Sequence, residues 1–382
     1  MSAPPLRVCL VIDRLDVAGG PRFFEHLAQG LVPASFRLTV ATAPESPLRD
    51  VFREAGVQLE PIPFARPLDF RTLIALLRLF RRGAFDIVHS MGLRADFHAR
   101  LAARLTGHAR VVTTVAMLAR GFDAPLWRRM LYQIAERVSE RWANAFLTDS
   151  EYVRRQLIEG HRIPASRVRK VYIGADPVAF DPDKADAVRV RRELGLGPGP
   201  LVGSVGRLVA QKGHDDFLDA IAMTVRRIPD LQALVVGEGP LGPALRTRAE
   251  DIGVAGCTRF LGARRDLADL LSALDVLVIA SNLESIPVLL FEAMALARPI
   301  VATTVGGIPE VVEDKQHALL IPPRDPVAIS KAIEAVLENP GASVAMGRRA
   351  RERVIQQFNV QDCVDAVAQC YREVVAAPTH CG

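Results

Sequence analysis

The sequence predicts an α/β protein of two Rossmann-like units, each a doubly wound parallel sheet, joined by one linker. Three observations lead there. Short β-branched runs alternate with amphipathic helical stretches along nearly all of the 382 residues, the pattern of repeated βαβ units. The alternation pauses once, at residues 177–199, where DPVAFDPDKAD and GLGPGP are rich in Pro, Gly and Asp, and then starts afresh. The length is also too great for one core of ordinary size.

The elements follow in order. VCLVI (8–12), LTVATA (38–43), DIVHS (86–90), VVTTV (111–115) and AFLTDS (145–150) read as buried strands, separated by helical patterns such as RFFEHLAQGL and FRTLIALLRLFRR. Beyond the pause, VGSVGRL, ALVVGEG, CTRFLG, VLVIAS, PIVATT and HALLIPP read as six more strands with helices between them. The divisions expected are a first unit at 1–177, a linker at 178–199, a second unit at 200–360 and a final helix at 361–382. The helix CVDAVAQCYREVVAA can pack on either unit by composition alone. Doubly wound sheets bind ligands at the carboxyl ends of their strands. Two such sheets face to face make a central cleft, and functional residues are expected where strands end.

Composition narrows the class. Charged residues at 24% and hydrophobic ones at 49% describe a globular protein. MSAPPLRVCLVID reads as a first buried strand and not as a signal peptide, and no apolar run reaches the ~18 residues of a membrane span. Cys9, Cys257, Cys363, Cys370 and Cys381 are odd in number and scattered, without disulfide or metal-ligand spacing, which favours a reducing cytoplasm. Residues 1–177 hold 26 Lys+Arg against 17 Asp+Glu, a balance of +9; the remainder holds 22 against 26, or −4. The first half is therefore expected to meet something anionic, a membrane surface or an acceptor, unless its arginines are an ordinary solvated surface. No basic run interleaved with aromatics supports nucleic-acid binding.

Two constellations carry chemistry. In VGSVGRLVAQKGHDDFLDAI a strand ends at Gly206, a loop carries Arg207 and Lys212, and a helix begins near His214. Two cations at this spacing can converge on one diphosphate, Arg207 as a fork and Lys212 as a point charge; alone, they read equally well as solvated loop cations. In SNLESIPVLLFEAMALA a strand delivers Glu284 into a turn, Ser285, Ile286, Pro287, Val288 and Leu289, whose helix start offers free amides to phosphate or sugar oxygens. Glu292 follows on that helix, inside an apolar run where an unpaired carboxylate is expensive. Either glutamate alone reads as a cap or a surface residue.

These segments, GRLVAQKG, VVGEGP, FLGARRDL, ESIPVLLFEAMA and TTVGGIPEVV in this order, resemble the C-terminal half of the retaining glycosyltransferases of family 4, which have the GT-B fold. DVAGGPRFFEHLAQGL, DIVHS with RADFHARLAARLTG, TDSEYVRRQL and VYIGADPVAFDP extend the resemblance over the N-terminal half. The resemblance implies a nucleotide-sugar donor, with a UDP- or GDP-hexose expected, and a glycan or lipid-linked acceptor, as in assembly of a surface polysaccharide, lipopolysaccharide or glycolipid. It implies that Arg207 and Lys212 neutralise the leaving diphosphate in place of a metal, so no cofactor is expected. Glu284 would contact the donor sugar and Glu292 the ribose. Gly237, Glu238, Gly262 and Arg264 would lie near the base, and Gly19 and Gly20 would form a loop approaching the donor phosphate. The family's last helix crosses back to the N-terminal unit.

Departures from the family bear on His89. Relatives often carry a second histidine two positions later, where this chain has Met91, and another in the next strand, absent from VVTTVAML. His89 is thus either a catalytic group or a hydrogen-bonded histidine at a strand end. Ile173 stands in place of a frequent Asn, and Pro287 in place of a common Gly. His26, His98, His108 and His161 read as structural, and Asp13 and Asp16 as turn caps or as lining for an acceptor. The helix with Arg71, Arg78, Arg81 and Arg82 beside Leu73, Ile74, Leu77 and Phe80 reads as a crossover helix or as a peripheral contact with an anionic membrane. The alternatives are a catalytically silent nucleotide- or sugar-binding protein and a nucleotide-sugar epimerase of similar fold.

Overall fold

The computed structural model describes residues 4–13, 19–32, 36–44, 49–64, 68–107, 109–118 and 125–378. The chain divides into two compact units, one of residues 1–173 with 360–382 and one of residues 174–359.

In the first unit the described strands are β1 (Leu6–Ile12), β2 (Phe36–Thr42), β3 (Gln58–Pro61), β4 (Ile87–Met91), β5 (Arg110–Val115), β6 (Ala145–Thr148) and β7 (Val168–Lys170). All pair in parallel in the order β3-β2-β1-β4-β5-β6-β7. The five apolar runs expected as strands form its centre. The two edge strands were not anticipated: QLEP and VRK are short, polar and partly exposed, so they carry no periodic apolar signal. Helices α1 (Gly19–Leu31), α2 (Arg49–Glu54), α3 (Phe70–Gly83), α4 (Leu93–Thr106), α5 (Leu126–Ser139) and α6 (Glu151–Arg155) connect them.

Side chains alternate between the faces of β4, and the alternation decides their neighbours. Val88 packs with Leu76 and Phe80 of α3 and Ala99 of α4. His89 points the other way, among Phe23 and Phe24 of α1.

In the second unit β8 (Leu201–Val205), β9 (Gln232–Val236), β10 (Thr258–Gly262), β11 (Val276–Ile279), β12 (Ile300–Thr303) and β13 (Leu319–Ile321) pair in parallel in the order β10-β9-β8-β11-β12-β13. Its described helices are α7 (Ala187–Glu193), α8 (His214–Thr224), α9 (Gly242–Asp251), α10 (Leu267–Ala273), α11 (Val288–Ala295), α12 (Ile308–Val311), α13 (Pro326–Glu338) and α14 (Pro340–Gln357). The stretch 178–199, expected as a plain linker, carries α7. That helix is fastened within the second unit, because Arg189 bonds both Asp266 (2.8 Å) and Asp269 (2.7 Å) of the segment opening α10. The last helix, α15 (Val360–Ala376), belongs to the first unit and packs on α1 closely enough that a Cβ on Gly30 would lie 2.7 Å from Val364 Cγ1.

Candidate functional site

The strand order of the second sheet reverses between β8 and β11, and the crevice outside the carboxyl ends of two such strands is where open α/β sheets bind ligands. The loops after these two strands carry Arg207 and Lys212 on one side and Glu284 on the other. They are locked together by backbone bonds: the amides of Asn282 and Leu283 both donate to the Gln211 carbonyl (2.7 and 3.3 Å). Gly213 makes the junction possible. Its φ is +63°, and a Cβ there would stand 2.0 Å from the Ala280 carbonyl oxygen. The Lys212 ammonium consequently meets the Glu284 carboxylate in an ion pair. Arg207 is exposed, and its guanidinium makes no hydrogen bond or ion pair among the described residues, which leaves it open to an incoming anion.

His214, which sequence reasoning used only to mark the start of a helix, braces this loop. It is buried, with Nδ1 3.0 Å from the Ser204 hydroxyl and Nε2 3.2 Å from the Arg207 carbonyl oxygen. Burial pushes its pKa down to about 4, so the ring is neutral near pH 7 and the tautomer protonated on Nε2 donates to that carbonyl.

Glu284 is 13% exposed, while Ser285, Ile286 and Val288 are buried and Leu289 partly so. Pro287 is the N-cap of the eight-residue α11 and makes no side-chain bond there, and its carbonyl accepts from the Leu290 amide (2.9 Å). Glu292 lies on α11, buried and partnered. A glycine that sequence reasoning did not single out closes the turn from beneath. At Gly306, φ +57°, a Cβ would fall 1.8 Å from the Glu284 carbonyl oxygen, and the next amide, Gly307, donates to Ser285 (2.7 Å). The signal available was the paired glycine of TTVGGIPEVV directly after β12.

The remaining donor-site candidates line the ends of β8, β9 and β10. The Gly206 amide donates to Val236 (2.9 Å), that of Gly237 to Gly262 (2.7 Å) and that of Leu208 to Glu238 (2.9 Å), so these strand ends form one stitched edge. The Lys212 side chain passes over Gly206, 3.7 Å from where a Cβ would be. The Glu238 carboxylate lies beside Gly262, 3.6 Å from its Cβ position. Arg264 is engaged elsewhere: it grips Asp266 with two bonds (2.8 and 2.7 Å) and reaches Glu193 of α7 (2.7 Å). Its donors hold α7 in place.

In the first unit the structure corrects the catalytic expectation for His89. The residue is fully buried, with Nδ1 2.5 Å from the Tyr371 hydroxyl and Nε2 2.7 Å from the Thr114 hydroxyl. Burial pushes its pKa down to about 3. With both nitrogens bonded and no exposed edge, it is a core histidine joining β4, β5 and α15. Gly19 and Gly20, expected in a loop, open α1 instead, with Pro21 in a first turn that does not use its missing N–H. Asp13 accepts from Arg94 (2.7 Å) at the carboxyl end of β1; Asp16 and His108 lie outside the described residues. Among the described residues Glu136, Glu140 and His161 bring three possible metal-ligand atoms within 4.8 Å of one another, with His161 Nδ1 already bonded to Glu140.

Two parallel-sheet units, of seven and six strands among the described residues, place the chain in the GT-B class of α/β proteins. The fold is similar to that of Anabaena Alr3699/HepE in complex with UDP and glucose, with a TM-score of 0.85 at 19% identity over 96% of this chain and 100% of that one. Residues 17–178 match the family described as Glycosyltransferase Family 4, and residues 199–339 match Glycosyl transferases group 1. The D-inositol 3-phosphate glycosyltransferase of Saccharomonospora viridis is 30% identical over 314 residues, 77% of this chain and 72% of its own length. The alpha-D-kanosaminyltransferase of Streptomyces kanamyceticus is 27% identical over 243 residues, and the match spans only 63% of either chain. The chain belongs to glycosyltransferase family 4.

Proposed function

We propose that the chain transfers a hexose-type sugar, with retained anomeric configuration and without a metal, from a UDP- or GDP-sugar to a glycan or lipid-linked acceptor. Its place would be the cytoplasm, in contact with the inner face of the cytoplasmic membrane, in assembly of a surface polysaccharide, lipopolysaccharide or glycolipid. The observation that carries the reading is the junction at the β8/β11 switch point, where Lys212 pairs with Glu284 beside the exposed Arg207. On this reading the diphosphate enters between Arg207 and Lys212, and Glu284 exchanges the lysine for hydroxyls of the donor sugar. Both cations then stabilise charge that grows on the leaving diphosphate as the glycosidic bond breaks. The acceptor hydroxyl attacks from the face the diphosphate leaves, and the departing phosphate takes its proton, so no protein base is required. Membership of a transferase family supports the transfer.

The test is a thermal-shift screen against UDP, GDP, ADP and their sugars, followed by NMR of the product anomer. A ligand at 100 times its dissociation constant adds about 2.7 kcal/mol to the stability of the unit that binds it. No shift with any nucleotide, or an inverted anomer, overturns the reading.

A further inference from the structure

Helix α5 has two unlike sides. Ala135 and Ser139 are buried, and the Ser139 hydroxyl accepts from Arg100 (3.0 Å), which fastens that side to α4 and β5. Leu126 and Trp127, followed at three- or four-residue steps by Met130, Ile134 and Val138, share one helix face and are between 39% and 68% exposed. Scattered apolar residues on a surface are ordinary, but a stripe four turns long calls for a partner. The stripe borders a hollow of about 300 Å³ whose polar side is Gln133, Glu136, Arg137 and His161.

The charge around the stripe selects the partner. Helix α4 lies against both α3 and α5. Together these three helices contain ten arginines and two acidic residues; seven of the arginines are exposed, while Arg100 is buried and Arg94 pairs with Asp13. Arg128 lies over the Trp127 ring at 5.1 Å, and Arg137 and Arg141 are exposed at the far end of the helix. A second copy covering the same stripe would bring two basic layers together, which like-charge repulsion opposes. A surface of anionic headgroups above acyl chains offers counter-charge and an apolar phase at once, and tryptophan beside arginine suits that boundary.

We propose that the outer face of α5, with the arginines of α3 and α4 beside it, seats the first unit on an anionic lipid surface, Leu126, Trp127, Met130 and Ile134 entering the headgroup boundary. This rests on the peripheral location proposed above and not on the transfer chemistry. It also moves the contact from where the sequence placed it. On α3, Leu76, Leu79 and Phe80 are buried in the core and Arg82 pairs with Glu60, while Phe70 and Ile74 stay exposed, so that helix adds charge and two apolar contacts where α5 presents a continuous stripe.

The experiment is co-sedimentation of the full chain with phosphatidylcholine vesicles, with or without about 30% phosphatidylglycerol, at about 0.05 M and 0.5 M salt. UDP thermal shifts are measured on the same preparations. The wild type is expected to bind the anionic vesicles at low salt and to leave them at high salt. Arg128→Glu with Arg141→Glu should weaken that binding roughly thirtyfold or more, and Met130→Asp with Ile134→Asp at least about tenfold. Neither pair should alter the nucleotide response, so a missing UDP shift in every protein would count against the donor reading and leave this one standing. Three results overturn it: a wild type that ignores anionic vesicles at low salt, variants that bind like the wild type, or a wild-type dimer that Met130→Asp with Ile134→Asp splits while vesicles go unbound.

Discussion

Replacing His89 by phenylalanine separates a histidine that serves the fold from one that serves the reaction. The new ring keeps the apolar contacts with Phe23 and Phe24, whose centroids lie 6.0 and 5.2 Å from that of His89. It takes a partner from the hydroxyls of Tyr371 and Thr114, and a buried polar group left unsatisfied costs about 1–3 kcal/mol. The first unit should therefore lose about 2–5 kcal/mol near neutral pH. The pH dependence has a definite sign. The folded pKa is depressed to about 3, so between the unfolded value and that point the unfolded chain binds the extra proton, and stability falls with pH. With an unfolded pKa of about 6.5, this histidine removes about 1.4 kcal/mol from the wild type between about pH 7.5 and 5.5. The variant lacks that loss, so the gap between the two proteins narrows in acid. Urea unfolding followed by tryptophan fluorescence measures it, because both tryptophans, Trp127 and Trp142, belong to the first unit. Turnover per folded molecule should stay within about twofold, since the lost groups touch only the core. Unchanged stability with turnover reduced a hundredfold would refute the argument and return His89 to the chemistry.

Arg207→Ala and Lys212→Ala should each raise the transfer barrier by about 3–4 kcal/mol with melting unchanged; full turnover in either removes the leaving-group role. Activity should survive EDTA, and collapse in chelator with rescue by Mg2+ or Mn2+ would contradict a reaction that relies on those cations. Gly306→Ala puts a methyl 1.8 Å from the Glu284 carbonyl oxygen, so the Glu284 turn must shift; calorimetric titration with the donor should show affinity at least about tenfold weaker, and an unaltered constant would place that turn outside the site.

What could be read along the chain was what local chemistry controls. The buried central strands announced themselves as apolar runs, and the strand-end loops as glycines and cations directly after them. The edge strands β3 and β7 did not, because a strand paired on one side needs no apolar code. The length and polarity of 178–199 suggested a linker, yet α7 is held there by carboxylates nearly 80 residues away, as in the Arg189 bonds to Asp266 and Asp269, separated by 77 and 80 positions.

The period of the apolar residues established two α/β units, and motif spacing named the residues of the candidate site, because both are written in short stretches of chain. The pairing of Lys212 with Glu284, 72 positions apart, depended on the sheet setting β8 beside β11. The fate of His89 was decided by Tyr371, 282 positions away, since a histidine at a strand end is a base or a core residue according to what closes over it. Which side of α5 is open was likewise decided by the fold, which buries Ala135 and Ser139 and leaves the stripe of Leu126, Trp127, Met130 and Ile134 exposed.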